Sequence, residues 1–168
     1  MHERPDDLAA LQAVIDDSYA NATAHLLSIH EAERRLDAAA VAELTGMRLL
    51  VLATTTRDGR PITGPVDGVF HRGRFHFGSS PDSVRFRHIR ERPEVSVTHL
   101  PGEQLAITVH GTAEIIDVDA PEHAEFRQTL LDIYLPRYGD AWLPILESGT
   151  FARVNPRRMF TFSMPELA

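Results

Sequence analysis

Among 168 residues there is no cysteine and no lysine, so all 17 basic side chains are arginine. Without cysteine the chain has no disulfide, no thiolate nucleophile and no thiolate metal ligand. Without lysine it forms no side-chain Schiff base, which removes one class of covalent catalysis. Positive charge is also in short supply: 24 acidic against 17 basic residues leave a formal charge of -7. A general nucleic-acid binder needs a positive footprint to displace counterions from phosphates, and this balance is the opposite. No apolar run approaches the ~20 residues that span a bilayer. The opening MHERPDDLAALQ is acidic and lacks the apolar segment of a secretory signal. The expectation is a cytoplasmic protein with neither a nucleic-acid nor a membrane partner.

What is present begins with helical periodicity. From about Asp7 to Ile29 the residues Leu8, Leu11, Val14, Ile15, Ala22, Leu26 and Ile29 recur at three- and four-residue steps, as in one amphipathic helix. HEAERR follows as a charged link or a continuation. Asp37 is then a good N-cap for a helix through Leu44, and Gly46 a natural stop. Residues 1–46 thus read as a helical arm.

The period then changes to that of strands. Arg48–Thr56 is apolar and β-branched and ends at Asp58-Gly59, a hairpin signal. Pro61–Phe70 is the returning strand, interrupted by Gly64-Pro65, which suggests a bulge or an edge position. His71–Arg74 turns into Phe75–Phe77, whose two phenylalanines face one way and His76 the other, as in a half-buried strand. Glu94–Leu100 and Gln104–Asp117 form a further pair across Pro101-Gly102-Glu103, with Gly111 marking a bulge. Pro121 opens a helix that Pro136 ends, and Trp142–Leu146 reads as another helical turn. Thr150–Val154 and Met159–Phe162 are a last strand pair, or one strand bent at Asn155-Pro156. Six antiparallel strands with hairpin links and helices at the crossovers suggest a closed or partly open barrel.

Between the third and fourth strands lies FHFGSSPDSVRFRHIRERP. Ser80 reads as an N-cap and Pro81 as the first helical residue, with Asp82 and Ser83 in the first turn. A helix start leaves N–H groups unpaired and carries partial positive charge, so it attracts phosphate; Ser83 and Arg85 add a hydroxyl and a fixed cation. The residues alone also fit an ordinary capped surface helix.

Taken in register, these segments resemble the FMN-binding split-barrel superfamily typified by pyridoxamine-phosphate oxidase. The phosphate segment of that group is matched in spacing by Phe77, Ser79, Ser83, Arg85, Ile89 and Arg92-Pro93. The Asp58-Gly59-Arg60-Pro61 hairpin and the Arg153-Val154-Asn155-Pro156-Arg157-Arg158 end strand are also similar, and the likeness runs from about Met47 to Phe162. It implies an α+β protein: a six-stranded antiparallel split barrel over residues 47–168 behind the N-terminal arm. It implies FMN at the interface of a homodimer, its phosphate on Ser79, Ser80, Ser83 and Arg85 and its ring against Pro65, Val66 and Asp67. The implied activity is hydride transfer between the flavin and a nicotinamide or small organic substrate. The alternatives are a deazaflavin (coenzyme F-420) reductase, for whose acidic tail Arg57, Arg87 and Arg90 are candidates, and a non-catalytic flavin-binding protein.

Two departures bear on substrate. Gly64-Pro65-Val66-Asp67 stands where the oxidase has basic residues, and Leu105–Thr108 where it has an Arg-Gln strand, which argues against pyridoxamine phosphate. No catalytic residue is singled out. The nine histidines are scattered without metal-ligand spacing, so no metal site is expected. His99 is the one to follow as a neighbour of the ring, and Tyr138 and Trp142 are candidates to cover a cofactor groove.

Overall fold

A computed structural model describes residues 2–164 of the chain. Six antiparallel strands close into a barrel in the order β1-β2-β3-β6-β5-β4. They are β1 (Met47–Thr55), β2 (Pro61–His71), β3 (Arg74–Ser79), β4 (Glu94–Gly102), β5 (Leu105–Ile116) and β6 (Thr150–Ser163). The expected fold class is therefore the observed one. The helices are α1 (Pro5–Ala20), α2 (Ala24–Ile29), α3 (Ala38–Ala42), α4 (Val84–Glu91), α5 (Ala124–Tyr138) and α6 (Leu143–Ser148).

Several local expectations change. The single helix over 7–29 is two, because the Thr23 hydroxyl accepts from Leu26 N–H at 3.2 Å and starts a new helix. HEAERR contains a 3-10 turn at Ala32–Arg34, while Asp37 caps α3 as expected. Pro136 does not end α5; it sits in the last turn, where only one ladder bond is forfeited, and the chain leaves the helix at Gly139 with φ +62°. The final segment is one fourteen-residue strand, and Asn155-Pro156 is absorbed by a register shift opposite His110/Gly111. Gly111 is required there, since a Cβ would lie 2.1 Å from the Asn155 carbonyl oxygen. Gly64-Pro65 makes no bulge: the β1–β2 register runs through it unbroken. It is an edge position, because β2 pairs with β3 only over Gly68–His71.

The barrel is split because β3 is short. Beyond Arg153, β6 has β5 on one side and no strand on the other. Helix α1 fills that gap. Ser18 Oγ accepts the Met159 N–H at 2.9 Å, and the Tyr19 hydroxyl accepts the Thr161 N–H at 2.9 Å while donating to the Thr161 carbonyl at 2.6 Å. Thr161 Oγ1 in turn exchanges hydrogen bonds with the Leu36 backbone at 2.9 Å. Leu11, Ile15 and Tyr19 of α1 join Leu50, Phe70, Phe75, Val97, Ile107 and Met159 in one core. At the other split, between β2 and the end of β3, α4 inserts Phe86 and Ile89 into the same core. Outside β3 and β6, α5 and α6 form a second layer with Phe126, Leu130, Tyr134, Trp142 and Leu146. Phe75, His76 and Phe77 are consequently all buried. The half-burial expected of this strand fails because α5 covers its outer face.

Removing the Tyr19 hydroxyl (Tyr19→Phe) strands a buried backbone N–H with no strand partner. The expected loss is about 1–3 kcal/mol of folding stability, read by urea unfolding, and Ser18→Ala should do the same at Met159. An unchanged midpoint for both would show that the β6 edge does not depend on these hydroxyls.

Candidate functional site

The site lies where β3 hands over to α4. Ser79 is the last residue of β3, and Ser80–Ser83 form a turn closed by the Ser83 N–H on the Ser80 carbonyl at 3.0 Å. The N-cap of α4 is Ser83, not Ser80; its hydroxyl accepts from Phe86 N–H at 3.4 Å. Pro81 thus belongs to the turn. The correction moves the helix start to Val84, and the N–H groups of Val84 and Arg85 have no acceptor one turn back among the described residues. They carry the partial positive charge of the helix start.

Arg85 reaches from this helix start to the open edge of β2. One guanidinium N–H donates to the Pro65 carbonyl at 3.1 Å, and an added Cβ at Gly64 would lie 3.7 Å from the same nitrogen. The rest of its donors have no partner among the described residues. Ser79, Ser80, Ser83 and Arg85 therefore gather round one helix start. On β2 the three residues part ways. Pro65 is exposed, has no N–H and gives its carbonyl to Arg85. Val66 is buried in the core opposite Leu50. Asp67 is exposed beside the Ser79–Ser80 end of a cavity.

That cavity, about 440 Å³, separates the outer face of β2, β3 and β6 from α5 and α6. Its size is that of a small-molecule pocket. Its lining includes the exposed Asp67 and Ser80 with Ser79, and the buried His76, Tyr134 and Trp142. Tyr134 and Trp142 stack at 4.5 Å with 10° between the ring planes, and His76 lies 4.2 Å from the Phe126 ring. Gly78 lets the Phe151 ring lie against β3, since a Cβ there would come within 2.7 Å of it. Burial, with His71 and nearby arginines adding, pushes His76 down to about 3, so the imidazole is neutral. Its Nδ1 faces the Arg74 carbonyl at 3.2 Å. A carbonyl only accepts, so Nδ1 carries the proton and Nε2 is left as a bare acceptor. Burial also raises the Tyr134 hydroxyl, and the Asp67 charge adds to that.

Reading the sequence missed His76 and Tyr134 as site residues. The signal was an aromatic Tyr134/Tyr138/Trp142 series at helical spacing; only Trp142 faces the cavity with Tyr134, whereas Tyr138 is exposed. His99 is buried and donates to the Leu49 carbonyl at 2.9 Å, away from the cavity lining. Among the described residues no three His, Asp or Glu side chains converge as a metal site would require.

The family model for pyridoxamine 5'-phosphate oxidase matches residues 36–162. The chain belongs to this family. No functionally curated protein matches it. Among solved structures, the conserved hypothetical protein Rv2991 of Mycobacterium tuberculosis is similar at 22% identity and a TM-score of 0.66, over 82% of this chain and 91% of that one. A FAD-binding protein of Mesorhizobium loti is similar at 24% identity and a TM-score of 0.57, over 76% and 95%. HutZ, the heme storage protein of Vibrio cholerae, is similar at 18% identity and a TM-score of 0.58, over 68% and 86%. At these identities the likeness is one of fold. The family's fold is a flavin-binding one, and no helix among the described residues is long and apolar enough to cross a membrane.

The low proton affinity of His76 makes a stability prediction. Unfolded, it takes a proton near pH 6.5; folded, it resists until about pH 3. Its contribution is therefore complete above pH 6.5 and is lost as pH falls toward 3, the loss reaching about 2 kcal/mol by pH 5. His76→Phe should unfold with a smaller difference between pH 7 and pH 5 than the parent chain does. Equal differences in urea titrations would show that another group sets the acid limit.

Proposed function

We propose that this chain is an FMN-binding oxidoreductase that passes hydride between the flavin and a nicotinamide or small organic substrate, working as a homodimer. The observation that carries this reading is adjacency: a helix start with free N–H groups follows the Ser80–Ser83 turn, and Ser79 and Ser80 at the beginning of that turn line an aromatic-walled cavity. FMN has the matching parts: a phosphate for the helix start, and a planar ring that would lie along the exposed edge of β2 at Pro65 and Asp67, at the mouth of the cavity and outside its interior. The residues fit it. Arg85 and the N–H groups of Val84 and Arg85 would hold the phosphate, with Ser79, Ser80 and Ser83 hydroxyls completing the donors. Pro65 and Asp67 offer the outer face of β2 to the ring. When bound, the flavin supplies the two-electron chemistry, which explains a site without a paired acid and base.

The dimer rests on the outer face of β1 and β4. Leu49, Val51 and Leu100 are 62%, 48% and 58% exposed, and Val51 lies opposite Thr98 in the β1–β4 pairing, so they form one apolar surface. Apolar surface of this kind marks an interface, and a second copy would cover it beside the β2 edge. That the structural neighbours named above include FAD-binding and heme storage proteins is in keeping with a flat conjugated cofactor.

The cofactor is tested by absorbance and fluorescence titration with FMN and, in parallel, with coenzyme F-420. Arg85→Ala should weaken FMN by about 1.5–3 kcal/mol, or about 10–150-fold. FMN bleaching on addition of NAD(P)H supports the oxidoreductase; a chain that binds neither cofactor ends the proposal. For the dimer, Leu49→Arg with Leu100→Arg should give a monomer by light scattering and lose FMN. A double variant that remains a dimer would place the interface elsewhere.

A further inference from the structure

The cavity under α5 and α6 has its own chemistry. Two of its polar groups, the Tyr134 hydroxyl and the Trp142 indole N–H, sit on buried rings and have no hydrogen-bond partner among the described residues. A third, His76 Nε2, is an acceptor on a ring whose other nitrogen is already committed to Arg74. None of these three atoms is sealed from solvent: each opens onto the cavity with its hydrogen-bonding capacity free for whatever enters it. The remaining walls are apolar: Val69, Phe126, Leu130 and Phe151. No arginine lines this space, and its one formal charge is the Asp67 carboxylate at the rim. The arginine nearest the site, Arg85, faces the helix start and the β2 carbonyl instead.

We propose that this cavity binds a neutral, planar one- or two-ring aromatic molecule bearing an N–H or O–H donor, and that it rejects anions. Stacked rings supply the flat contact, and His76 Nε2 and Asp67 accept from the donor. A carboxylate or phosphate here meets a negative rim with no cation to offset its desolvation. The ligand's role as the substrate rests on the oxidoreductase reading; its binding does not.

Trp142 is the only tryptophan in the chain, so its emission reports occupancy directly, with or without flavin. The full-length protein is titrated with β-naphthol, β-naphthoate and naphthalene near pH 7, following Trp142 quenching and, independently, calorimetric heat. β-Naphthol should bind about tenfold or more tighter than either the anion or the donor-free ring. His76→Phe and Asp67→Ala should remove that preference over naphthalene. Ile145 lines the cavity but is 57% exposed, so Ile145→Arg tolerates the change and should shift selectivity toward β-naphthoate even where a buried variant fails to fold. β-Naphthoate binding as tightly as β-naphthol to the parent chain, or an Ile145→Arg variant with unchanged selectivity, would overturn the proposal. β-Naphthol binding to a chain that takes no FMN would sustain the pocket while ending the flavin reading. FMN binding with no response to β-naphthol would do the reverse.

Discussion

β3 has six residues and stands between strands of eleven and fourteen, so both neighbours carry backbone that no strand can pair. Leaving such groups buried and unpaired costs about 1–3 kcal/mol each. The fold meets this cost with helices. Along β6, α1 presents Ser18 and Tyr19 as substitutes for a missing strand, the tyrosine oxygen serving one residue as both acceptor and donor. Along β2, Pro65 removes one N–H from the open edge, and Arg85 satisfies its carbonyl. The N-terminal helix is therefore part of the barrel's hydrogen bonding as well as of its core.

The same short strand creates the site. Because β3 ends early, the chain must turn at Ser80–Ser83 and restart as a helix beside the β2 edge, which puts hydroxyls, helix N–H groups and a guanidinium within one small region. Because β3 is flanked by longer strands, its outward residue His76 has a broad sheet face around it, and α5 and α6 can settle there. That layer is held by stacked rings, whose rigid planes leave space between the Tyr134–Trp142 pair and the sheet. The helix start with its free N–H groups and the aromatic cavity beside it thus come from two consequences of one strand length.

The strands themselves, the Asp58-Gly59 hairpin and the Gly111 bulge were legible, because each expresses a local backbone demand, whereas the full burial of Phe75–Phe77 was not. The α4 N-cap was misplaced by three residues. Ser80-Pro81 and Ser83 both satisfy cap chemistry, and only the tertiary pull of Phe86 and Ile89 into the barrel decides between them. Pro136 shows the converse limit: a proline in a helix's last turn gives up one bond, which packing on either side of it outweighs. The cavity was not legible. His76 and Tyr134 are 58 residues apart, and neither residue's surroundings in sequence foretell that α5 folds back over β3.

An arginine at position 85 is better suited than a lysine to what the geometry asks. The side chain is half-buried and must bond a backbone carbonyl of β2 while leaving donors for an anion at the helix start. An ammonium in that setting is a compact, strongly hydrated charge that loses its proton more readily as it is desolvated. A guanidinium keeps its charge and presents its donors in a fixed fork, so one arm can seal the strand edge while the other stays aimed outward. One residue then seals the strand edge and keeps further donors free. The cavity a few residues away carries no such cation, so the region divides into an end with a guanidinium and free N–H groups and an end walled by aromatic rings. A molecule that is charged at one extremity and flat at the other is oriented by that division alone, before any contact specific to its identity is made.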